Sequence, residues 1–221
     1  MKILALEFST DRRTVAILAP DDGPGLARSA QVFHERGRAT PALAMIEEAL
    51  RRAGIERESI DCLAVGIGPG SYTGIRAAIA VAQGWHLALG TPLLGLNTME
   101  ILAAQALAEG ILGTQHFLID AQRQEFYAAQ AELAAGQTPT CTPPRIISAA
   151  EAAALVERGA VICTPELAGQ FPRARSMAPE AATMARVAQG RRDSPPPERL
   201  EPVYLRETTF VKAPPSRFIP S

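Results

Sequence analysis

Between residues 62 and 74 an apolar run, Cys62-Leu63-Ala64-Val65-Gly66-Ile67, gives way to Gly68-Pro69-Gly70-Ser71-Tyr72-Thr73-Gly74. Three glycines and a proline directly after a fully apolar strand predict a sharp strand-to-helix turn. The helix that follows is expected to end near Gly90, and Pro92-Leu93-Leu94-Gly95-Leu96 reads as the next strand. Strand and helix alternating in this way argue for a mixed α/β sheet. The stretch from Ala77 to Met99 holds no Lys, Arg, Asp or Glu. A membrane span needs about 20 predominantly apolar residues. Gln83, Gly84, His86, Gly90, Pro92, Gly95 and Asn97 interrupt this one, so it reads as a buried helix, a turn and a strand. The N-terminal residues meet Glu7 too early for a signal peptide, and a soluble, cytoplasmic chain is expected.

Around this unit the chain reads as two similar halves. Strand-like runs cover residues 2–8, 13–19 and 27–34, with turns at Asp11-Arg12-Arg13 and Asp21-Asp22-Gly23-Pro24-Gly25. A helix is predicted over about 41–53, with Pro41 at its start and Gly54 past its end. Its apolar positions Leu43, Ile46, Leu50 and Ala53 mark one face. The second half opens with an alanine-rich helix from Thr98 to about Glu109, then strands at 115–120 and 125–133. A strand near 145–147, a helix near 149–158, a strand at 160–163 and a helix near 178–189 follow. Leu4-Ala5-Leu6-Glu7 turning into Thr14-Val15-Ala16-Ile17 is echoed by Phe117-Leu118-Ile119-Asp120 turning into Phe126-Tyr127-Ala128-Ala129. Each apolar run ends in a carboxylate at a polar turn and returns as a strand, which suggests two lobes with acidic hairpin tips facing one cleft. The expected division is a first lobe over 1–98, a second over 99–207 and a loose tail over 208–221. Residues 191–197 read as an extended link, and Pro202-Val203-Tyr204-Leu205-Arg206 as a segment packing back on the body.

Several motifs admit two readings. The turn from Gly68 to Gly74, with Ser71 and Thr73 as extra donors, suits either a phosphate at a helix N-terminus or a tight turn that lets the helix approach the sheet. It has no P-loop lysine and no Rossmann spacing. Small residues at Gly74, Ala77, Ala78, Ala80, Ala82, Gly84 and Ala88 suit packing on the chain's own sheet or a subunit interface with the Leu43, Ile46, Leu50 face. Glu7 and Asp120 either cap their hairpins or serve as an acid/base or metal-holding pair. His34, His86 and His116 have no metal-ligand spacing. Ser71 is not in a nucleophile elbow, and Cys62 sits in an apolar strand as an inert thiol. The three cysteines are odd in number and scattered, without a CxxC, as in a reducing compartment. With 22 basic against 23 acidic side chains, the balance excludes an autonomous nucleic-acid binder with a strong basic footprint. Between His34 and Ile60, five arginines interleave with five glutamates, so no basic stripe forms there.

The run from Ala64 to Arg76 resembles the signature of the TsaB (YeaZ-like) family of tRNA threonylcarbamoyladenosine biosynthesis. Leu6-Glu7-Phe8-Ser9-Thr10, Pro92-Leu93-Leu94-Gly95-Leu96, the run from Ile119 to Tyr127, and Tyr204-Leu205-Arg206 fit as well, so the resemblance extends over residues 2–207. It implies a two-lobed actin/Hsp70-like α/β fold, each lobe a mixed sheet flanked by helices. It also implies a non-catalytic paralogue of TsaD, the metal-bearing subunit that transfers threonylcarbamoyl from its adenylate to N6 of adenosine 37 in tRNAs reading codons that begin with A. The two metal histidines of that paralogue correspond to Thr98 and Leu102 here, so no metal and no catalytic residue are implied. The implied partners are a TsaD-like subunit, a TsaE-like ATPase, a second copy when alone, and tRNA through the complex. The resemblance favours the interface reading for Leu43, Ile46, Leu50, Gly74, Ala77, Ala78 and Val81. It marks Glu7, Ser9, Gly68, Gly70, Ser71, Thr73 and Asp120 as the cleft, with no intrinsic cofactor and a nucleotide only within the complex. Glu7, where the family commonly has Asp, and a Cys163-Thr164-Pro165-Glu166 loop without glycines count against a nucleotide held by the chain alone.

Overall fold

The computed structural model describes residues 1–20, 28–35, 41–191, 200–203 and 205. The Asp21–Gly25 turn, the link over 192–197, Tyr204, Arg206 and the tail over 208–221 lie outside them.

The first sheet is built from β1 (Ile3–Glu7), β2 (Arg13–Ala19), β3 (Arg28–His34), β4 (Cys62–Gly66) and β5 (Leu93–Leu96), in the order β3-β2-β1-β4-β5. Two helices belong to the same stretch of chain, α1 (Ala42–Ala53) and α2 (Tyr72–Leu89). After α3 (Thr98–Ala108) the second sheet takes β6 (Gly113–Asp120), β7 (Glu125–Leu133), β8 (Arg145–Ser148), β9 (Val161–Cys163) and a two-residue β10 (Arg175–Ser176). Helix α4 (Ala149–Arg158) lies before β9, and α5 (Ala181–Gln189) closes the order. The second sheet runs β8-β7-β6-β9-β10, strand for strand the order of the first. In both, the first hairpin is antiparallel and the following strands join in parallel, β4 beside β1 and β9 beside β6. The hairpin echo in the sequence is therefore a repeated lobe. The sequence reading missed β10, which is too short to show a period.

Each helix boundary has a local cause. Gly54, at φ 64°, and Gly90, at φ 72°, end α1 and α2 in the left-handed conformation that glycine adopts without penalty. Asn97 caps α3 by accepting the Met99 N–H at 2.8 Å. Ser148 and Glu151 form a reciprocal capping box on α4.

Of the two helices that follow the first sheet and close the chain, α3 packs on the second sheet and α5 crosses back to the first. Met99, Leu102, Ala103 and Ala106 of α3 pack with Phe117, Ile119 and Ala129 of the second sheet. Ala181, Met184, Ala185 and Ala188 of α5 pack on Ile3, Ala5, Ala16 and Ala64 of the first. The N–H groups at the start of α5 donate to Thr14 Oγ1 (2.9 Å, from Ala181) and Gln31 Oε1 (2.8 Å, from Ala182), so first-lobe strands cap a helix from the second half of the chain. Leu200 also joins the first-lobe core, and the Val203 N–H donates to Ile67 O at 2.9 Å. The division at residue 98 follows the chain but not the packing: α5 and residues 200–203 belong with the first sheet. Among the described residues no helix is long and apolar enough to cross a membrane.

Candidate functional site: the interlobe cleft and the outer face of α2

Equivalent ends of the two sheets face each other across a cavity of about 730 Å³. The first lobe lines it with Ser9, Thr10 and Asp11 from the β1–β2 hairpin and with Gly70, Ser71, Tyr72 and Thr73 from the turn into α2. From the second lobe come Asp120, Gln122 and Tyr127 of the β6–β7 hairpin, and Thr164 and Glu166 after β9. Five of the seven cleft residues expected from sequence, Ser9, Gly70, Ser71, Thr73 and Asp120, thus meet at one cavity. Gly68 does not line it. Neither does Glu7, which is fully buried beneath the hairpin. The sequence reading passed over Asp11, Gln122 and Glu166; for Asp11 and Glu166 the signal lay in the hairpin echo and in the acid after Pro165.

Both hairpin carboxylates work on their own turns. Glu7 Oε1 accepts the Ser9 N–H at 2.7 Å, and Asp120 Oδ1 accepts the Gln122 N–H at 2.8 Å. Glu7 is packed against Gly66, where a Cβ would stand 2.2 Å from its Oε2. Burial pushes the Glu7 carboxyl up to about 7, against the opposing pull of Ser9 and the Arg13 guanidinium. A raised acid holds its proton in the folded chain over a range where the unfolded chain has lost it. Stability therefore declines as pH rises from about 4.5 to about 7 and is level above, by about 3 kcal/mol in all. Urea unfolding from pH 5 to 8 should show this fall in the wild type and its loss in Glu7→Gln. An equal slope in both would show that Glu7 does not titrate in that window.

The glycine turn packs tightly on this hairpin. The Ser71 N–H donates to Ser9 O at 2.6 Å, and a Cβ on Gly70 would come within 2.3 Å of that same oxygen. Ser71 Oγ receives Arg13 Nη2 at 3.0 Å and the Gly74 N–H at 3.4 Å. Ser71 is thereby engaged within the protein as the N-cap of α2. Across the cleft, the Asp11 N–H donates to Glu166 Oε1 at 2.6 Å and ties the two lobes at one edge. Among the described residues, the cavity lining holds three carboxylates, Asp11, Asp120 and Glu166, and no Lys, Arg or His.

The metal positions suggested by family resemblance do not fit a metal. Thr98 and Leu102 are both fully buried on α3, Leu102 within an apolar cluster, and neither offers a ligating nitrogen. Among the described residues no group of three or more His, Cys, Asp or Glu side chains could hold an ion. His86 Nδ1 lies 2.9 Å from Thr91 O at the end of α2, and burial lowers His116. Burial raises the Cys62 thiol, which keeps it protonated and unreactive.

The expected interface residues divide. Ile46, Leu50 and Ala78 lie in the first-lobe core, and Gly74 is buried against Phe8 O and Arg13. Ala77 and Val81 are half-buried. Leu43 alone of the seven is exposed, at 64%. The buried stripe of α1 is Ala42, Met45, Ile46, Ala49, Leu50 and Ala53, one position round from the stripe inferred from sequence. On α2, Gly74, Ile75, Ala78, Ile79 and Ala82 face the sheet. The opposite face shows Tyr72, Thr73, Arg76, Ala80, Gly84, and Leu87 at 86% exposure, a strip with one charged residue; on α1, Leu43 and Ala44 are exposed as well. The second lobe has no equivalent: between β9 and β10 stands only a short 3₁₀ turn, Pro165–Leu167.

A family profile described as "TsaD: tRNA N6-adenosine threonylcarbamoyltransferase" matches residues 35–183. A Haemophilus influenzae "tRNA threonylcarbamoyladenosine biosynthesis protein TsaB" is 31% identical over 134 residues, 59% of this chain and 53% of that protein. The Escherichia coli protein of the same name is 31% identical over 130 residues, 59% of this chain and 54% of its own length. The match thus spans about half the length of these two relatives. An uncharacterized Mycobacterium tuberculosis protein is 30% identical over 210 residues, 92% of this chain and 91% of its own. The solved structure of YeaZ from Pseudomonas aeruginosa superposes with a TM-score of 0.74 at 28% identity, over 92% of this chain and 99% of that one. Profile, relatives and fold agree that the chain belongs to the TsaD family, as a TsaB/YeaZ-like member.

Proposed function

We propose that the chain is a non-catalytic subunit of the machinery that makes threonylcarbamoyladenosine in tRNA. It pairs with a metal-bearing TsaD-like subunit and acts together with a TsaE-like ATPase. Threonylcarbamoyl then passes from its adenylate to N6 of adenosine 37 in tRNAs reading ANN codons, on the partner's metal. The observation that carries this reading is the outer strip of α2, whose one charged residue is Arg76 and where Leu87 is exposed, together with exposed Leu43 on α1, on a chain whose metal positions are Thr98 and Leu102. A monomer rarely leaves such a strip in water without a partner for it. Docking this face stabilises the partner's active arrangement, a population shift that needs no chemistry here. Alone, the chain pairs with a second copy through the same strip. It has no intrinsic cofactor; a nucleotide is held only within the complex, at the subunit interface, where a partner can supply cations. The tRNA is contacted through the complex, and the chain works in the cytoplasm.

The test is threonylcarbamoylation of tRNA by TsaD, TsaE and preformed threonylcarbamoyl-adenylate, with and without this chain. Product is expected only when the chain is present, and none from the chain alone. Equal product in its absence would end the subunit reading. A small actin-like ATPase is the rival reading, and the three carboxylates among the described residues lining the cleft count against it.

A further inference from the structure

Arg76 is the one Lys, Arg, Asp or Glu between Tyr72 and Leu89, and it is unlike most of the chain's other cations. Arg51, Arg52, Arg57, Arg145, Arg173 and Arg175 each stand beside a glutamate. Arg76 has no carboxylate partner among the described residues. Its guanidinium instead lies over the Tyr72 ring, 5.0 Å from the centroid, and donates to the Tyr72 hydroxyl one turn back. Both side chains are exposed. Stacking fixes the plane of the guanidinium and engages one N–H with the phenol. The remaining donors face an acceptor outside the chain, which in the single chain is water.

A docked partner expels that water. A guanidinium left there with only a neutral phenol is among the costliest groups to bury, so the partner has to replace the lost acceptor. On the reading that the outer strip of α2 is the docking face, we propose that the TsaD-like subunit presents a carboxylate to Arg76 within an otherwise apolar surface. The forked donors receive it side by side, which fixes the register of docking and favours this partner over others. An RNA phosphate suits the position less well. Nucleic acid is held by several cations along a groove, and residues 77–99 hold no Lys or Arg. A second copy of the chain brings no acid on its own α2. What it can offer is Glu47 of α1, exposed one turn beyond Leu43.

The test is calorimetric titration of the full chain with the TsaD-like subunit at low and high salt, comparing wild type, Arg76→Leu and Arg76→Lys. Arg76 is exposed, so both variants should melt like the wild type. Arg76→Leu makes the strip more apolar, and the sign of its effect decides. Opposite a carboxylate it should pair about thirtyfold more weakly or worse and lose the wild type's weakening by salt. Arg76→Lys keeps the charge without the fork and should fall between the two. Pairing as tight as wild type or tighter in Arg76→Leu would overturn the proposal. If that result came with weaker retention of tRNA by the assembled complex, the acceptor would be a phosphate instead. Sedimentation of the chain alone should show self-association undiminished in Arg76→Leu. Equal loss of self-association in Arg76→Leu and Glu47→Gln, with partner binding kept, would assign the acceptor to a second copy and overturn the proposal too. Leu87→Lys with Leu43→Glu separates the two levels of failure. If that chain still pairs, the strip is not the docking face. If it loses pairing while Arg76→Leu keeps it, the docking face stands and only the carboxylate falls.

Discussion

Leu87→Lys, alone and together with Leu43→Glu, is expected to abolish pairing with the TsaD-like subunit while leaving the fold intact. Both side chains are largely in water in the single chain, so their replacement should shift unfolding by no more than about 0.5 kcal/mol. The new charges also suit their helices, Glu near the start of α1 and Lys near the end of α2. At an interface the balance reverses. Each leucine loses about 1.5–3 kcal/mol of burial and leaves a desolvated charge. The double variant should bind about a hundredfold more weakly or worse, and modified tRNA should fall to the level seen without the chain. Ile46→Arg and Ala78→Arg, which the sequence alone nominates for the same purpose, should instead unfold the first lobe. Both residues are in its core, at 2% and 0% exposure. Co-purification and thermal melts, run side by side, separate the two classes. Wild-type pairing in the Leu87→Lys, Leu43→Glu chain would mean that the partner docks elsewhere.

Gly74→Val should lose about 3 kcal/mol or more and yield little soluble protein. A Cβ at this position would stand 2.0 Å from Phe8 O and from Arg13 Nη1. The oxygen is backbone in the central hairpin and cannot give way, so the first turn of α2 would have to lift from the sheet. That turn carries Tyr72 and Thr73 into the cleft, so the cavity would lose one wall with it. Gly84→Ala is the counterpart with opposite sign. Gly84 is also helical, nothing lies within 4 Å of its added Cβ, and alanine should raise stability by about 0.5–1 kcal/mol. A melting temperature that falls steeply in one variant and rises by a few degrees in the other would fit this packing. A Gly74→Val chain as stable as wild type would refute the close approach of α2 to the hairpin.

The site shows what one-dimensional patterns carry. Local rules were sufficient for Glu7 and Asp120, because a carboxylate two residues before a turn N–H caps it wherever the hairpin sits. The Gly68–Gly74 stretch was legible as a tight turn from its glycines, and its close packing on Ser9 and Phe8 agrees. The chemistry of the cavity was not legible. Asp11 and Glu166 are 155 residues apart, and nothing local distinguishes them from surface acids until two lobes bring them together.

From sequence alone came the order of strands and helices apart from β10, the two-lobed repeat, the acidic hairpin tips and the absence of histidines at positions 98 and 102. Each rests on period, turn chemistry or residue identity, which act over a few residues. The tertiary structure decided that α5 returns to the first sheet, that Glu7 is buried with a raised carboxyl, and which side of α2 meets water. Small residues occur on every side of α2, so its pattern has no single apolar stripe to orient it. Its facing is set by the sheet beneath, where Gly74, Ala78 and Ala82 allow close approach, and Leu87 is left outside because that approach occupies the other side of the helix.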